Sequence, residues 1–198
     1  MLNPFFKNQG PLKINDIIKF LKLNIKINQN QEISDIKDLV SSNKGNITFY
    51  HSKKYKDVAK KTKASFCITT GSLKIDLPKT CEALIVDNVL LSTSKITSIF
   101  YPESVNDNFD ESVISINDTK FKNKVSFGKN VLIGKNVSIG ENCKIGHNTI
   151  IEKNVVVGNN CSIGSNNIIR NTLIKNSVRI LDNCNIGKHG FGFFPIKD

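Results

Sequence analysis

From Val125 onward, apolar and polar positions alternate on a period of six: VSFGKN VLIGKN VSIGEN CKIGHN TIIEKN VVVGNN CSIGSN NIIRNT. The third position of each unit is apolar (Phe127, Ile133, Ile139, Ile145, Ile151, Val157, Ile163, Ile169), and the first is small or apolar from Val125 to Cys161, with Asn167 as the exception. Such alternation puts both side chains on one side of a short strand. The fourth position is mostly Gly, and the sixth is Asn from Asn130 to Asn166. Both residue types tolerate left-handed backbone angles, which predicts a corner after every strand. Six residues are too few for a helical repeat, whereas three strands and corners close a triangular coil of eighteen residues. Stacked coils then pair their backbones and pile like side chains into interior rows. The phase reaches back to Phe121, is lost at Ser115, slips by one residue between Ile169 and Ile174, and resumes at Ile180 and Ile186. The slip predicts an irregular corner near residues 171–175.

This pattern resembles the hexapeptide-repeat left-handed parallel β-helix, an exception to the right-handed crossover rule. On that register Cys143 and Cys161 stand one coil apart on the interior row of Val125, where they fill space. His147 follows the Gly of an outer corner and is expected to be solvated there. With the slip counted, His147 and His189 stand two coils and seven positions apart, off any shared row. His51 is the remaining histidine, so no metal site is expected.

The earlier part of the chain lacks the six-residue period. Ile14, Ile17, Ile18 and Leu21 follow the spacing of an amphipathic helix with Asn15 or Asp16 near its start. Residues 47–50, 65–68 and 83–86 read as strands, and 53–61 and 89–100 as helices, the second stopped by Pro102. The expected organisation is an α/β N-terminal domain over residues 1–102, a polar linker over 103–112, and a left-handed parallel β-helix of hexapeptide repeats over 113–198.

Composition narrows the function classes. Lys and Arg number 28 against 17 Asp and Glu, a net charge of +11, yet only Arg170 and Arg179 are arginines. Without the planar forks that favour phosphate and base recognition, the charge does not argue for nucleic-acid binding. Lys53, Lys54, Lys56, Lys60, Lys61 and Lys63 around Asp57 form one local cluster able to attract a nucleotide diphosphate or an acidic partner. Alternatively, it is a solvated face. Apolar runs are far shorter than the ~20 residues of a membrane span, and the first ten residues lack a signal-peptide pattern. A soluble cytoplasmic protein is expected. Cys67, Cys81, Cys143, Cys161 and Cys184 are odd in number with no C-x-x-C spacing, which reads as buried thiols.

An ordered series of short motifs then becomes specific. Ile47-Thr-Phe49-Tyr-His-Ser52-Lys-Lys-Tyr55 is followed by Ala64-Ser-Phe-Cys-Ile, Asp87-Asn-Val-Leu, Ile99-Phe-Tyr-Pro102, the hexapeptide repeats, and finally Ile186-Gly-Lys-His-Gly190-Phe-Gly-Phe193. In this order they resemble the UDP-3-O-acylglucosamine N-acyltransferases, which perform the second acylation of lipid A, the lipopolysaccharide anchor. The start, Phe5-Phe-Lys-Asn-Gln-Gly-Pro-Leu, is similar to some bacterial members as well.

The resemblance implies a uracil ring held between Phe49 and Tyr55, with Ser52 at a polar position where members commonly have Asn, so that the uracil hydrogen bond would be weaker or water-mediated. Lys53 and Lys54 would assist the diphosphate. On the residues alone, Phe49 also fits a strand core and Tyr55 the packing of a helix. The implied reaction moves a 3-hydroxyacyl group from acyl carrier protein to the 2-amine of UDP-3-O-acylglucosamine, in a homotrimer and without a cofactor. The family's histidine base follows the Gly190-Phe-Gly-Phe193 landmark and would lie beyond Asp198, so no catalytic residue is assigned. The chain is expected to be a fragment or shortened reading frame. Two other readings stay open: a hexapeptide acyltransferase using acetyl-coenzyme A on another sugar nucleotide, and a noncatalytic nucleotide-binding scaffold.

Overall fold

The computed structural model describes residues 4–25, 27, 31–105 and 108–190. The described chain forms two compact units, one over residues 6–105 and the other over residues 108–190 with residues 4 and 5. Of the Gly190-Phe-Gly-Phe193 landmark, all but Gly190 falls outside the described residues.

In the first unit, β1 (Leu12–Lys13) leads into α1 (Ile14–Phe20) and pairs antiparallel with β2 (Glu32–Ile33). The helix starts one residue before the expected Asn15, with Lys13 at its cap, and buries Ile14, Ile17 and Ile18 as the spacing predicted. A four-stranded parallel sheet follows, ordered β3 (Asp35–Ile36), β4 (Asn46–Tyr50), β5 (Phe66–Thr69) and β6 (Glu82–Ile85). Between β4 and β5 the expected helix at 53–61 is a 3-10 turn, Lys53–Tyr55, running into the short α2 (Lys56–Ala59). Last comes α3 (Val89–Phe100), capped by the Asn88 side chain accepting from Leu91 N at 3.0 Å.

Ile47, Phe66, Ile68 and Leu84 of the sheet pack against Ile14, Ile17, Ile96 and Phe100 of α1 and α3. Tyr50 and Cys67 pack with Ala59, Leu73 and Cys81 in a second cluster. A sheet covered on both faces explains why β4 is almost continuously buried rather than alternating. A 3-10 turn, Pro102–Val105, opens the polar stretch after α3.

The second unit is a left-handed parallel β-helix of hexapeptide repeats. It opens with β7 (Ile114–Ser115). Three coils follow: β8 (Ser126–Phe127), β9 (Leu132–Ile133) and β10 (Ser138–Ile139); β11 (Lys144–Ile145), β12 (Ile150–Ile151) and β13 (Val156–Val157); and β14 (Ser162–Ile163), β15 (Ile168–Ile169) and β16 (Leu173–Ile174). Two sides of a fourth are β17 (Arg179–Ile180) and β18 (Asn185–Ile186). The sides are three parallel ladders, β8-β11-β14-β17, β9-β12-β15-β18 and β10-β13-β16, with β7 antiparallel on β9.

The interior rows are those of the six-residue period, including buried Cys143 and Cys161, whose Sγ atoms donate to Gly158 O and Lys175 O at 3.1 Å. Asn167, the exception in the repeat, is fully buried and satisfied: its Nδ2 donates to Leu181 O at 2.9 Å and its Oδ1 accepts from Cys184 N at 2.6 Å. The slip is present as well. Leu132 pairs with Ile150, and Ile150 with Ile168, but Val156 pairs with Leu173, and Asn171 turns the shortened corner at φ +48°.

The corners correct one expectation. Every Asn from Asn130 to Asn166 at the sixth position has a left-handed φ between +55° and +63°, as expected. Within the coils the fourth-position glycines from Gly128 to Gly164 do not, and a different constraint selects them. A Cβ on Gly158 would sit 2.7 Å from Asn176 N and 2.8 Å from the carbonyl carbon of Lys175, the backbone of the next coil.

Candidate functional site

The segment that follows β4 carries the sequence-predicted residues. Phe49 is half-buried against the α1 and α3 face, and the next residue, Tyr50, points into the opposite cluster. Ser52 then leaves the strand in an extended conformation and caps the 3-10 turn, its Oγ accepting from Lys54 N at 3.3 Å and its carbonyl from Tyr55 N at 3.0 Å. This turn swings Tyr55 back towards the strand end. The Phe49 and His51 ring centroids lie 6.4 Å apart with planes at 25°, and His51 and Tyr55 lie 5.4 Å apart at 49°. Three aromatic rings are thus gathered where the sequence reading named two.

With its oxygen accepting at the cap, Ser52 retains a hydroxyl hydrogen to donate. Lys53 and Lys54 are exposed on the same turn. Lys56 is engaged elsewhere, its Nζ 3.3 Å from Asp76 Oδ1.

Asp76 had no sequence signal, because it lies in a separate 3-10 turn, Lys74–Asp76, 26 residues from its partner Tyr50. The buried Tyr50 hydroxyl donates to Asp76 Oδ2 at 3.0 Å, so the carboxylate ties the end of β4 to α2, the helix directly after Tyr55. Burial acts to raise the Asp76 carboxyl, but the Tyr50 hydrogen bond and Lys56 outweigh it and hold it below its ordinary range. Burial, reinforced by Asp76, pushes Tyr50 up to about 12. Tyr101, partly buried and donating to Asp35 Oδ1 at 2.6 Å, is pushed to about 12 as well, by desolvation first and Asp35 second.

These raised values fix the sign of an alkaline effect. A phenol with a higher pKa folded than unfolded contributes stability below pH ~10 that is lost as pH rises through about 12. Unfolding titrations from pH 8 to 12 are expected to show that loss, and the Tyr50→Phe/Tyr101→Phe double variant to flatten it.

His147 lies beside a shallow groove lined by Phe127, Gly128, Ile145 and Gly146. Its Nδ1 accepts from Lys129 N at 2.8 Å, and its own N donates to Ser165 Oγ at 3.1 Å; Ser165 N donates in turn to Asp182 Oδ1 at 2.6 Å. The residue is therefore one link in a corner ladder shared with Ser165 and Asp182. Taking a proton at Nδ1 would break the link. His147→Ala is expected to cost the coil about 1 kcal/mol in urea unfolding, and His147→Asn, which restores an acceptor, markedly less. Equal losses would contradict the ladder role.

Glu152 and Arg170 occupy fourth positions otherwise held by Gly. Arg170 Nη2 lies 2.7 Å from Glu152 Oε1, with the two side chains only 18% and 12% exposed. Among the described residues, no group of three or more His, Cys, Asp or Glu is placed to hold a metal ion, and no helix is long and apolar enough to cross a membrane.

Family models match these two units separately. Residues 30–99 match the family model described as UDP-3-O-(3-hydroxymyristoyl) glucosamine N-acyltransferase, LpxD, and residues 124–159 and 136–171 match bacterial transferase hexapeptide (six repeats). UDP-3-O-acylglucosamine N-acyltransferases are similar over 100 residues: 33% identical in Rickettsia typhi (strain ATCC VR-144 / Wilmington), 32% in Rickettsia prowazekii (strain Madrid E) and 34% in Rickettsia peacockii (strain Rustic). Each alignment covers 49% of this chain and 29% of the relative, so the chain matches under a third of their length. Taken with the parallel α/β sheet and the stacked coils, these matches identify a chain that carries a domain of the UDP-3-O-acylglucosamine N-acyltransferase family followed by bacterial-transferase hexapeptide repeats.

Proposed function

We propose that the protein to which this chain belongs transfers a 3-hydroxyacyl group from an acyl carrier protein thioester to the 2-amine of UDP-3-O-acylglucosamine, in lipid A biosynthesis. The observation that carries the reading is the order of parts, with the family's domain at residues 30–99 preceding a hexapeptide coil. In the reaction the amine nitrogen attacks the thioester carbonyl, the C–N bond forms, the C–S bond breaks, and a base takes the amine proton while the carrier thiolate leaves.

This chain's residues supply the nucleotide end. The ring cluster at Phe49 and Tyr55 takes the uracil, the Ser52 hydroxyl donates to its edge, and Lys53 and Lys54 face the diphosphate. The base is not assigned to His147, whose Nδ1 is held in the corner ladder. The acyl group arrives on its carrier, so the chemistry calls for no cofactor, and the lysine-rich surface suits an acidic carrier protein.

A homotrimer is supported by the outward rows of the coil. One side presents Leu132, Ile150 and Ile168 with Asn185 at its end, an adjacent side Ser138, Val156 and Leu173, the last two 38% and 46% exposed, and the third Ser126, Lys144, Ser162 and Arg179. Two sides richer in outward apolar residues than the third suit a threefold arrangement in which each coil touches two neighbours.

The test is N-acylation of UDP-3-O-acylglucosamine by 3-hydroxyacyl carrier protein, with the full reading frame that contains this sequence. Formation of the N-acylated product is expected. Turnover of acetyl-coenzyme A alone would assign the protein to another sugar-nucleotide acetyltransferase, and binding without turnover of either donor to a scaffold.

A further inference from the structure

We propose that residues 108–112 are a strap, docked on one corner of the coil by the Asp110 and Ser112 side chains and able to lift off as a unit. Two corners of the coil obey a common rule: the backbone N–H of the fifth residue of a repeat donates to the fifth side chain one coil on. Lys129 N donates to His147 Nδ1 at 2.8 Å and His147 N to Ser165 Oγ at 3.1 Å. At the next such corner Glu141 N donates to Asn159 Oδ1 at 2.9 Å and Asn159 N to Asn176 Oδ1 at 2.8 Å. The corner after β9 and β12 breaks the rule by residue type. Its fifth residues are Lys135 and Lys153, and an ammonium has no lone pair with which to accept.

Here the acceptors come from outside the repeat. Ser112 Oγ accepts from Lys135 N at 2.9 Å, and Asp110 Oδ2 from Lys153 N at 2.6 Å. Asp110 Oδ1 in turn accepts from Ser112 N at 3.0 Å and Ser112 Oγ at 2.7 Å. One carboxylate therefore secures both bonds, the first by orienting the Ser112 hydroxyl and the second directly. It also fills the place of the missing side chain: a Cβ on Gly134 would collide with Asp110 Oδ2, as one on Gly140 would with Asn159 Oδ1. Asp110 is buried, whereas Phe109 and Glu111 on either side of it are exposed, Phe109 by 76%. The ladder beneath runs from Leu132 N to Thr149 O and from Gly134 N to Ile151 O without the strap. The strap can thus open while the coils stay paired, a local transition well below global unfolding.

The experiment is amide hydrogen exchange, resolved by residue with NMR, on the 198-residue chain and its Asp110→Ala, Ser112→Ala and Ser112→Ala/Lys153→Asn variants. In the parent, the Lys135 and Lys153 amides are expected to share one protection factor, lower than those of Glu141 and Asn159; this comparison needs no variant to fold. Asp110→Ala should speed both lysine amides about ten-fold or more, the scale of a lost hydrogen bond to a charged group, and leave Glu141 and Asn159 within about two-fold. Ser112→Ala should speed Lys135 more than Lys153. The double variant places at the fifth position the Asn that serves at Asn159, and should return Lys135 to its parent rate. Lysine amides that open separately in the parent, or no faster than Glu141 and Asn159, would overturn the proposal. So would an Asp110→Ala variant that leaves them unchanged or speeds all four amides alike, or a double variant without recovery at Lys135.

Discussion

Replacing Gly146 with alanine is expected to destabilise the coil severely. A Cβ there would fall inside contact distance of the Gly164 carbonyl carbon and Ser165 N, and 2.6 Å from Ser165 Oγ. These are largely backbone atoms, held by Gly146 N donating to Ile163 O at 2.8 Å and His147 N to Ser165 Oγ at 3.1 Å. To admit the methyl, the second and third coils must separate, stretching those bonds and the interior Ile145 and Ile163 rows together. The cost is expected to be roughly 3 kcal/mol, the upper range for overpacking, read as a lower urea midpoint for the coil. Gly71→Ala, with nothing within 4 Å of its Cβ, is the control and should be near neutral.

Arg170→Ala is the second. Glu152 is held mainly in the protein interior, and burial raises its pKa, with the Arg170 charge opposing that rise and Asp110 adding to it. Removing the guanidinium leaves a carboxylate that is desolvated, unpaired and close to a second acid. A loss of about 2–3 kcal/mol at pH 7 is expected. A group whose folded pKa is raised favours the folded state more as pH falls, so the deficit should be smaller at pH 5 than at pH 7. Adding Glu152→Gln should recover much of it. Equal losses at both pH values, or no recovery, would mean that the pair contributes packing rather than charge compensation.

Residue type and period explain how much was legible beforehand. The coil was readable because each unit repeats one local solution, apolar at two alternating positions and Asn at the left-handed corner. Even the one-residue slip left its mark in the spacing of Ile169 and Ile174. The glycines were read from backbone freedom, whereas their cause is a neighbour one coil away, which a residue's own φ preference does not reveal. In the α/β unit, the twelve residues of α3 matched their pattern, but β1, β2 and β3 have two residues each and carry no periodic signal.

The candidate site was named at Phe49, Ser52 and Tyr55 through the ordered motifs and not through geometry. His51, just past the end of β4, was not singled out, although the structure sets its ring beside those of both Phe49 and Tyr55. Asp76 and the Glu152–Arg170 pair depend on chain segments that only folding brings together.

The central claim is that residues 30–99 form a uridine-nucleotide-binding domain, and the most direct measurement is competition for a bound UDP-sugar. The account predicts saturable binding of UDP-N-acetylglucosamine to the 198-residue chain, displaced by UDP but not by ADP at equal concentration, and weakened at least ten-fold by Phe49→Ala in a variant that melts as the parent does. Absence of binding, equal displacement by ADP, or full affinity in folded Phe49→Ala would contradict it.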